Sequence, residues 1–276
     1  MEVVAIMENI LVIKDLTFKY NDNNSLFENF NLTIKKGTWT TIVGPNGGGK
    51  STLVRILVGL LKAEGQIVVN NVLKNEDNLK QIRRMIGVIF EYPDNTFVAE
   101  TVMDEMAFAL ENLELNKCEI KEKIIEVGQY LKITDLFEKN PFELSGGQKQ
   151  LIALASILVL EPKILILDEA INRIDYVERE NILNILTKLN KEKGITIINI
   201  THDVEEAIYG HDVILLDKGK IILNGKKKEV FKEEKIFTRM GLDIPFMADL
   251  SLKLMYYDLV DEIVFDMDKM VNLLWK

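Results

Sequence analysis

The stretch that decides the fold is a glycine-rich run of nine residues, Gly44, Pro45, Asn46, Gly47, Gly48, Gly49, Lys50, Ser51 and Thr52. Four residues separate its first glycine from the Gly-Lys-Ser triplet, which is the spacing of a phosphate-binding P-loop. The apolar residues 40–43 before it are typical of a buried strand, and residues 53–58 after it are typical of a helix. A P-loop requires this order of strand, loop and helix, so a glycine-rich turn that binds nothing is the weaker interpretation.

Each residue type in this run has a physical reason. Glycines let the backbone curl so that several N–H groups point inward and come close to phosphate oxygens. The helix that follows places its positive N-terminal end behind the same phosphates. We therefore expect Lys50 to neutralise the β- and γ-phosphates of a nucleotide and the Ser51 hydroxyl to ligate Mg²⁺.

Composition narrows the classes of protein that remain. The chain has 276 residues, 47% of them hydrophobic and 28% charged, and its formal net charge of −9 argues against a large basic surface for nucleic acid. No apolar run approaches the roughly 20 residues that a membrane-spanning helix needs, and no N-terminal signal pattern is present. A role at a membrane would therefore go through a partner or a surface contact. The single cysteine, Cys118, weakly suggests a reducing compartment.

Apolar strand-like runs alternate with helical patterns along most of the chain, which favours a largely parallel sheet. Strand-like segments at residues 10–20 and 30–34 and a hairpin signal at residues 213–224 make the predicted sheet arrangement mixed. Residues 95–160, approximately, have helical periodicity and are interpreted as a helical insertion. Beyond Gly241 the chain changes character, with two further short helices predicted in an apolar tail.

Two carboxylates close the nearly all-apolar run of residues 163–169. A carboxylate at the end of a buried strand beside a P-loop can hold Mg²⁺, and this role suits Asp168. Glu169 would lie one residue further on, where it could polarise an attacking water. Acidic residues often end strands for no functional reason, but the P-loop makes the functional interpretation the stronger one.

Two single residues are also candidates. His202 follows the apolar strand at residues 194–201 and could hydrogen-bond the γ-phosphate or the attacking water. Tyr20 precedes a polar turn, and its ring could stack on adenine. The alternatives are a structural histidine at a strand end and a tyrosine in the core of an edge strand.

A second glycine-containing motif, Ser145, Gly146, Gly147 and Gln148, follows Leu144 and opens a helix. A serine hydroxyl and the N–H groups of a helix start form another anion site. One nucleotide rarely needs two such cradles from one chain. A head-to-tail dimer, in which each chain lends its Ser-Gly-Gly helix to the nucleotide of the other, explains both motifs.

Together these residues resemble the nucleotide-binding subunit of ABC transporters over about residues 10–240. Residues 44–51 match the Walker A motif, 164–168 the Walker B motif and 144–148 the signature motif of that family. The resemblance implies that Glu169 is the catalytic glutamate, His202 the switch histidine, Asp175 the D-loop aspartate and Tyr20 the adenine-stacking aromatic residue. It also implies ATP hydrolysis, with ATP and Mg²⁺ as cofactors and Lys50 in the catalytic site.

The fold implied by this resemblance is an α/β P-loop NTPase with a RecA-like core and a mixed β-sheet. An antiparallel β subdomain, a helical subdomain at about residues 95–160 and a small C-terminal extension would complete it. We expect an ATPase domain at residues 8–240 and an extension at residues 241–276 that contacts the dimer partner or another subunit.

A finer resemblance is to the energy-coupling-factor (ECF) ATPases of vitamin and cobalt uptake systems. Residues 91–98 look like the Q-loop of that group, and residues 241–246 look like the start of its C-terminal extension. The resemblance implies an importer subunit at the cytoplasmic face of the cell membrane. Its partners would be a second similar ATPase, a transmembrane coupling subunit and a substrate-capturing membrane subunit. The alternatives are a soluble ABC ATPase of DNA repair or translation and a weakly hydrolysing or non-hydrolysing regulatory module.

The chain departs from the family pattern at several positions. Glu91 stands where the Q-loop usually begins with Gln; a carboxylate there could still ligate Mg²⁺ but adds negative charge beside Glu169. Residues 170–174 lack the small hydroxyl residues that usually precede Asp175, and Leu151 replaces a common Arg. Gly48 replaces a common Ser in the P-loop, which leaves the backbone cradle intact.

Overall fold

Two sheets organise the chain in the computed structural model, which describes residues 8–21, 24–113 and 115–275. The first sheet is antiparallel, with strand order β2-β1-β4-β5. Its strands are β1 (Asn9–Asn21), β2 (Asn24–Lys35), β4 (Glu64–Val69) and β5 (Val72–Leu73). The second sheet has the order β10-β9-β3-β8-β7-β6, built from β3 (Trp39–Val43), β6 (Ile86–Phe90), β7 (Ile164–Asp168), β8 (Thr196–Thr201), β9 (Asp212–Asp217) and β10 (Lys220–Lys226).

The second sheet is parallel except for β10, which pairs antiparallel with β9 through the predicted hairpin. Every residue of β3, β7 and β8 is buried, because both faces of these strands are covered. Side chains alternate between the faces: Leu165 and Leu167 pack into one apolar cluster, and Ile164 and Ile166 pack into another. Alternate residues of one continuous apolar strand therefore pack into two separate hydrophobic clusters, one on each face of the sheet.

Ten helices are described, and their positions follow the predicted alternation. Between strands of the second sheet lie α1 (Lys50–Leu57), α2 (Leu79–Met85), α3 (Val102–Leu110), α4 (Lys117–Leu131), α5 (Gly146–Leu158) and α6 (Tyr176–Lys193). The C-terminal part contains α7 (Lys227–Val230), α8 (Glu234–Arg239), α9 (Phe246–Tyr256) and α10 (Met267–Leu274). Within the described residues, none of the helices has both the length and the apolar character needed to cross a membrane.

The C-terminal part packs onto the β9 side of the second sheet. Phe237, Ile244 and Ala248 share one buried cluster with Val213 and Leu215 of β9. A second tie is polar, because the backbone N–H of Phe246 donates to Glu205 Oε1 at 2.7 Å. The tail is thus an integral layer of the structure, with its helices where the apolar pattern predicts them.

The fold confirms the predicted P-loop NTPase class, with an antiparallel sheet, a mixed core sheet and a helical portion. Strands β3, β6, β7 and β8 run parallel, so their carboxyl ends lie at the same edge of the sheet. In open α/β sheets ligands bind at this edge. The segments that leave it are the P-loop, Glu91, Asp168 with Glu169, and His202.

Candidate active site

The P-loop lies against β9, and this proximity explains its first glycine. A Cβ on Gly44 would stand 2.0 Å from the carbonyl oxygen of Leu216, so only glycine fits there. Gly49 adopts a φ of +105°, a left-handed conformation that directs the chain into helix α1. Glycine at these two positions therefore permits both the close packing against β9 and the turn into helix α1.

Lys50 is held back against the loop that precedes it. Its Nζ donates to the carbonyl oxygens of Gly44 at 2.7 Å and Pro45 at 3.2 Å, and only 5% of the residue is exposed. Burial lowers the pKa of Lys50, while the nearby Glu169 and Asp168 oppose that shift. Nζ also lies 3.5 Å from Glu169 Oε1, so the P-loop cation and the predicted catalytic carboxylate are neighbours.

Ser51 and Asp168 form a pair of oxygen donors beside the P-loop. The Ser51 hydroxyl donates to Asp168 Oδ1 at 2.8 Å. Burial raises the pKa of Asp168, and the hydrogen bond from Ser51 opposes that rise. A hydroxyl and a carboxylate oxygen are hard ligands of the kind Mg²⁺ prefers, with the remaining positions taken by phosphate and water. Among the described residues no group of three or more His, Cys, Asp or Glu side chains is placed to hold a metal ion.

Glu169 is fixed by three neighbours at the end of β7. Its Oε2 lies 2.7 Å from His202 Nδ1 and accepts a hydrogen bond from Asn172 Nδ2. Its backbone N–H donates to the carbonyl of Ile200 at 2.9 Å, and its φ is +54°. Non-glycine residues with positive φ cost backbone energy, so the surrounding contacts hold this carboxylate in a strained position facing His202.

Tyr20 reaches the P-loop helix from the antiparallel sheet. Its hydroxyl and Thr52 Oγ1 are 2.6 Å apart, and its ring meets Phe18 edge to face at 4.9 Å. The residue is 53% exposed, so it is not a core tyrosine. The residue is therefore partly accessible, as stacking on a base requires.

These residues share a cleft of about 680 Å³. It is lined by Tyr20, Leu26, Asn46, Gly47, Gly48, Gly49, Lys50, Ser51, Thr52, Glu91, Glu169, Arg173 and His202. The cleft thus brings together Tyr20, most of the P-loop, Glu91, Glu169 and His202, whereas the predicted Gly44, Pro45 and Asp168 are not part of its lining. Among the residues the structure describes, neither the Ser145–Gln148 motif nor Asp175 contributes to this lining.

Glu91 is engaged by a residue that sequence reasoning missed. Arg173 pairs with Glu91 Oε1, and its guanidinium lies over the Tyr92 ring at 4.5 Å from the centroid. Gln150 of helix α5 donates to the carbonyls of Phe90 at 3.2 Å and Glu91 at 3.3 Å. The added negative charge at position 91 is thus balanced by a cation from the unusual 170–174 segment. The available signal was that Arg173, a cation, lies in the other segment that departs from the family pattern and can compensate the charge of Glu91.

The Ser145–Gln148 motif begins helix α5 as predicted. Ser145 Oγ accepts from the N–H of Gln148 at 3.2 Å, and Gln148 Oε1 accepts from the N–H of Ser145 at 3.1 Å, which is a capping box. Asp175 caps helix α6 through Oδ1, which accepts from the backbone N–H groups of Val177 and Glu178. Glu178, which no sequence signal indicated, lies against the start of α5.

Comparison with known proteins identifies the family to which the chain is similar. The family model described as "ABC transporter" matches residues 27–172. The energy-coupling factor transporter ATP-binding protein EcfA of Pediococcus pentosaceus is 42% identical over 247 residues, covering 88% of each chain. The related EcfA1 of Streptococcus pneumoniae is 38% identical over 275 residues, covering 98% of this chain and 99% of that one.

Solved structures show the same likeness. The cbiO1 protein of Clostridium perfringens, described as part of the ABC transporter complex cbiONQ, superposes with a TM-score of 0.77 at 35% identity, over 84% of this chain and 94% of that one. The bacterial cassette MJ0796, solved as a dimer, superposes with a TM-score of 0.69 at 29% identity, over 78% and 98% of the two chains.

The chain belongs to the ABC transporter family and is an ATPase whose hydrolysis of ATP is coupled to transport. Within that family it is the ATP-binding subunit of an energy-coupling factor transporter. The prediction from the sequence motifs is confirmed at both levels.

Proposed function

We propose that this subunit binds ATP between two similar ATPase subunits and powers import of a vitamin or transition-metal ion. A transmembrane coupling subunit and a substrate-capturing membrane subunit would complete the complex at the cytoplasmic face of the cell membrane. Three findings support the proposal: the similarity to EcfA proteins, the similarity to a member of the cbiONQ complex, and the dimeric state of a related cassette.

The cleft supplies one half of each composite site in this proposal. P-loop amides and Lys50 bind the β- and γ-phosphates, and Tyr20 stacks on adenine. Ser51 and Asp168 hold Mg²⁺, with Glu91 as a further ligand once it releases Arg173. Bound Mg²⁺ would supply neutralisation of phosphate charge. The other half comes from the partner, whose Ser145–Gln148 helix start contributes donors to the γ-phosphate and whose Asp175 lies beside it.

Glu169 is assigned as the residue that orients the attacking water, with His202 as its positioning partner. The observation that carries this assignment is the contact of Glu169 Oε2 with His202 Nδ1 at 2.7 Å, while Glu169 Oε1 lies 3.5 Å from Lys50 Nζ. The carboxylate is thus fixed between the phosphate-binding cation and a histidine. A carboxylate held in this way can accept a proton from water as phosphoryl transfer proceeds.

The two parts of the chain have different roles in this proposal. Residues 8–240 form the ATPase domain, with residues 95–160 as a helical subdomain that moves when the dimer closes. The segment after Glu91 transmits this movement to the membrane subunit. Residues 241–276 contact the dimer partner or another subunit, as their exposed Tyr256, Tyr257 and Trp275 suggest.

The experiment that tests the catalytic assignment is Glu169→Gln in the complex isolated with its co-purifying subunits. Loss of the general base should lower turnover at least about 100-fold, while ATP affinity stays within a few fold. Phosphate release and equilibrium nucleotide binding measure the two quantities. Glu64→Gln, at an exposed site on the antiparallel sheet, is the matched control. Hydrolysis near the wild-type rate in the Glu169 variant would remove Glu169 from this role.

A further inference from the structure

The start of helix α5 is already occupied by a carboxylate of its own chain. The Ser145 hydroxyl donates to Glu178 Oε1 at 2.7 Å, and the backbone N–H of Gly147 donates to Glu178 Oε2 at 2.9 Å. Glu178 thus presents two oxygens and a negative charge to two donors at a helix N-terminus. A phosphate group would use the same donors in the same way.

The contact is close enough to exclude a second anion. A Cβ built on Gly147 would lie 2.2 Å from Glu178 Oε2 and 2.6 Å from Glu178 Cβ. A phosphate oxygen bound to the Gly147 N–H would need much of the space that Glu178 fills. Two negative groups at one helix end would also repel each other, so they cannot share it.

Glu178 contacts this helix end and forms no ion pair with the neighbouring Arg179 among the described contacts. The adjacent Arg179 is bound instead to Asp203 at 2.6 Å and to Glu206 at 3.1 Å. The carboxylate of Glu178 is therefore stabilised by the donors of α5, and its release would leave those donors free for another anion.

The position of Glu178 is coupled to Asp175. Oδ1 of Asp175 accepts from the backbone N–H groups of Val177 and Glu178, each at 3.0 Å, so both residues belong to the first turn of α6. In the proposed dimer Asp175 lies beside the nucleotide that spans the interface. A movement of Asp175 there would move Glu178 with it.

We propose that Glu178 is a positioning residue that occupies the γ-phosphate subsite of this chain's signature helix and withdraws when the partner's nucleotide docks. The inference rests on the proposed function, since it takes Ser145 and Gly147 as donors to a nucleotide held by the partner. Glu178 competes with the nucleotide for those donors, so it sets the ATP concentration at which the dimer closes. Because Glu178 and Asp175 lie in the same segment, release of Glu178 from helix α5 couples closure of the dimer to the position of Asp175.

The test is Glu178→Gln in the complex with its co-purifying subunits. Removal of the charge should lower the ATP concentration for half-maximal turnover about fivefold, with maximal turnover unchanged or raised. The nucleotide-free complex should melt at the same or a lower temperature, because the helix end loses an anion. Higher apparent ATP affinity together with no gain in stability is not expected of a residue that only supports the fold.

Two further variants keep the test decisive. Glu178→Asp retains the charge on a shorter side chain and should stay closer to wild type than the Gln variant. Glu192→Gln removes one carboxylate from the far end of the same helix and should leave the half-maximal ATP concentration unchanged. An unchanged or raised half-maximal concentration in a cooperatively folded Glu178→Gln complex overturns the inference. If Glu169→Gln still hydrolyses ATP near the wild-type rate, the assignment of Glu169 within the proposed function fails, and this result is distinct from a failure of the inference about Glu178.

Discussion

The two helix starts that carry the glycine motifs treat negative charge in opposite ways. At the P-loop, the nearby carboxylates are held by side chains: Asp168 by Ser51, and Glu169 by His202 and Lys50. At the signature helix, the chain's own Glu178 binds the Ser145 hydroxyl and the Gly147 N–H directly. In the proposed mechanism the P-loop is preorganised for phosphate, whereas the signature helix must first exchange one anion for another.

Two helix starts with similar donor groups can therefore differ in whether those donors are free to bind a phosphate. Preorganised donors cost no rearrangement when charge arrives, and this is the basis of electrostatic catalysis. Donors that already hold a carboxylate act only after a conformational change. In the proposed dimer the first kind of site binds nucleotide within one chain, and the second kind controls closure between chains.

Among variants that test the comparison between the P-loop and the signature helix, the largest change in turnover is expected for Gly147→Ala. The new Cβ would stand 2.2 Å from Glu178 Oε2, in the space where an anion binds. We expect turnover to fall about 10- to 100-fold, because misplacement of a reacting group by about 1 Å can cost 10²-fold. Steady-state phosphate release by the complex at saturating ATP measures this.

Gly146→Ala is the matched control one residue earlier. A Cβ there meets only Ile174 Cγ2 at 3.5 Å, an ordinary van der Waals distance. Turnover within about threefold of wild type is expected, since the donors and their approach are unchanged. Equal losses in both variants would show that the helix start tolerates no Cβ anywhere, and the comparison between the two anion sites would lose its support.

Much of the fold and of the P-loop half of the site could be predicted from the sequence. The apolar runs of β3, β7 and β8 are continuous because both faces are buried, and their ends locate the P-loop, Glu169 and His202. Parallel strands bring their carboxyl ends to one edge, so local patterns sufficed to assemble these groups.

The missed residues share a cause. Glu178 lies 33 positions from Ser145, and Arg173 lies 82 positions from Glu91. Both contacts depend on how the segment after Glu169 packs against helix α5 and the strand-end segment at Glu91. Charged surface residues have no periodic pattern that reports such packing. The docking of the C-terminal helices onto β9 was likewise outside the reach of local sequence.

A second prediction concerns the buried Glu206, whose carboxylate is contacted by Arg179 of helix α6. Arg179, next to Glu178, binds Glu206, and Asn199 Nδ2 donates to Glu206 Oε2 at 2.7 Å. Glu206 is 1% exposed, and burial raises the pKa of its carboxyl to about 7, although Asn199 and Arg179 oppose that rise. The folded state therefore favours the protonated form more strongly than the unfolded state does.

The pH dependence follows from this direction. The stabilisation linked to the raised pKa of Glu206 is complete below the unfolded value of 4.5 and is lost as pH rises through about 7. Relative to Glu206→Gln, the wild-type free energy of unfolding should fall by about 2 kcal/mol between pH 5 and 8. Denaturant unfolding of both proteins at each pH measures the difference. A difference that stays constant with pH would contradict the expectation.

The smallest effect is expected at the edge of the P-loop half, for Tyr20→Ala. Loss of a ring that stacks on adenine should raise the ATP concentration for half-maximal turnover about tenfold, with maximal turnover nearly unchanged. Tyr20→Phe keeps the ring but removes the hydroxyl that lies 2.6 Å from Thr52 Oγ1, so it should differ from wild type by no more than about twofold. If the Phe variant loses as much affinity as the Ala variant, the hydroxyl bond to the P-loop helix is the important contact. The preorganisation of the P-loop would then depend on a contact from the antiparallel sheet. The P-loop and the signature helix would then both depend on a side chain from elsewhere in the chain, and they would differ less than proposed.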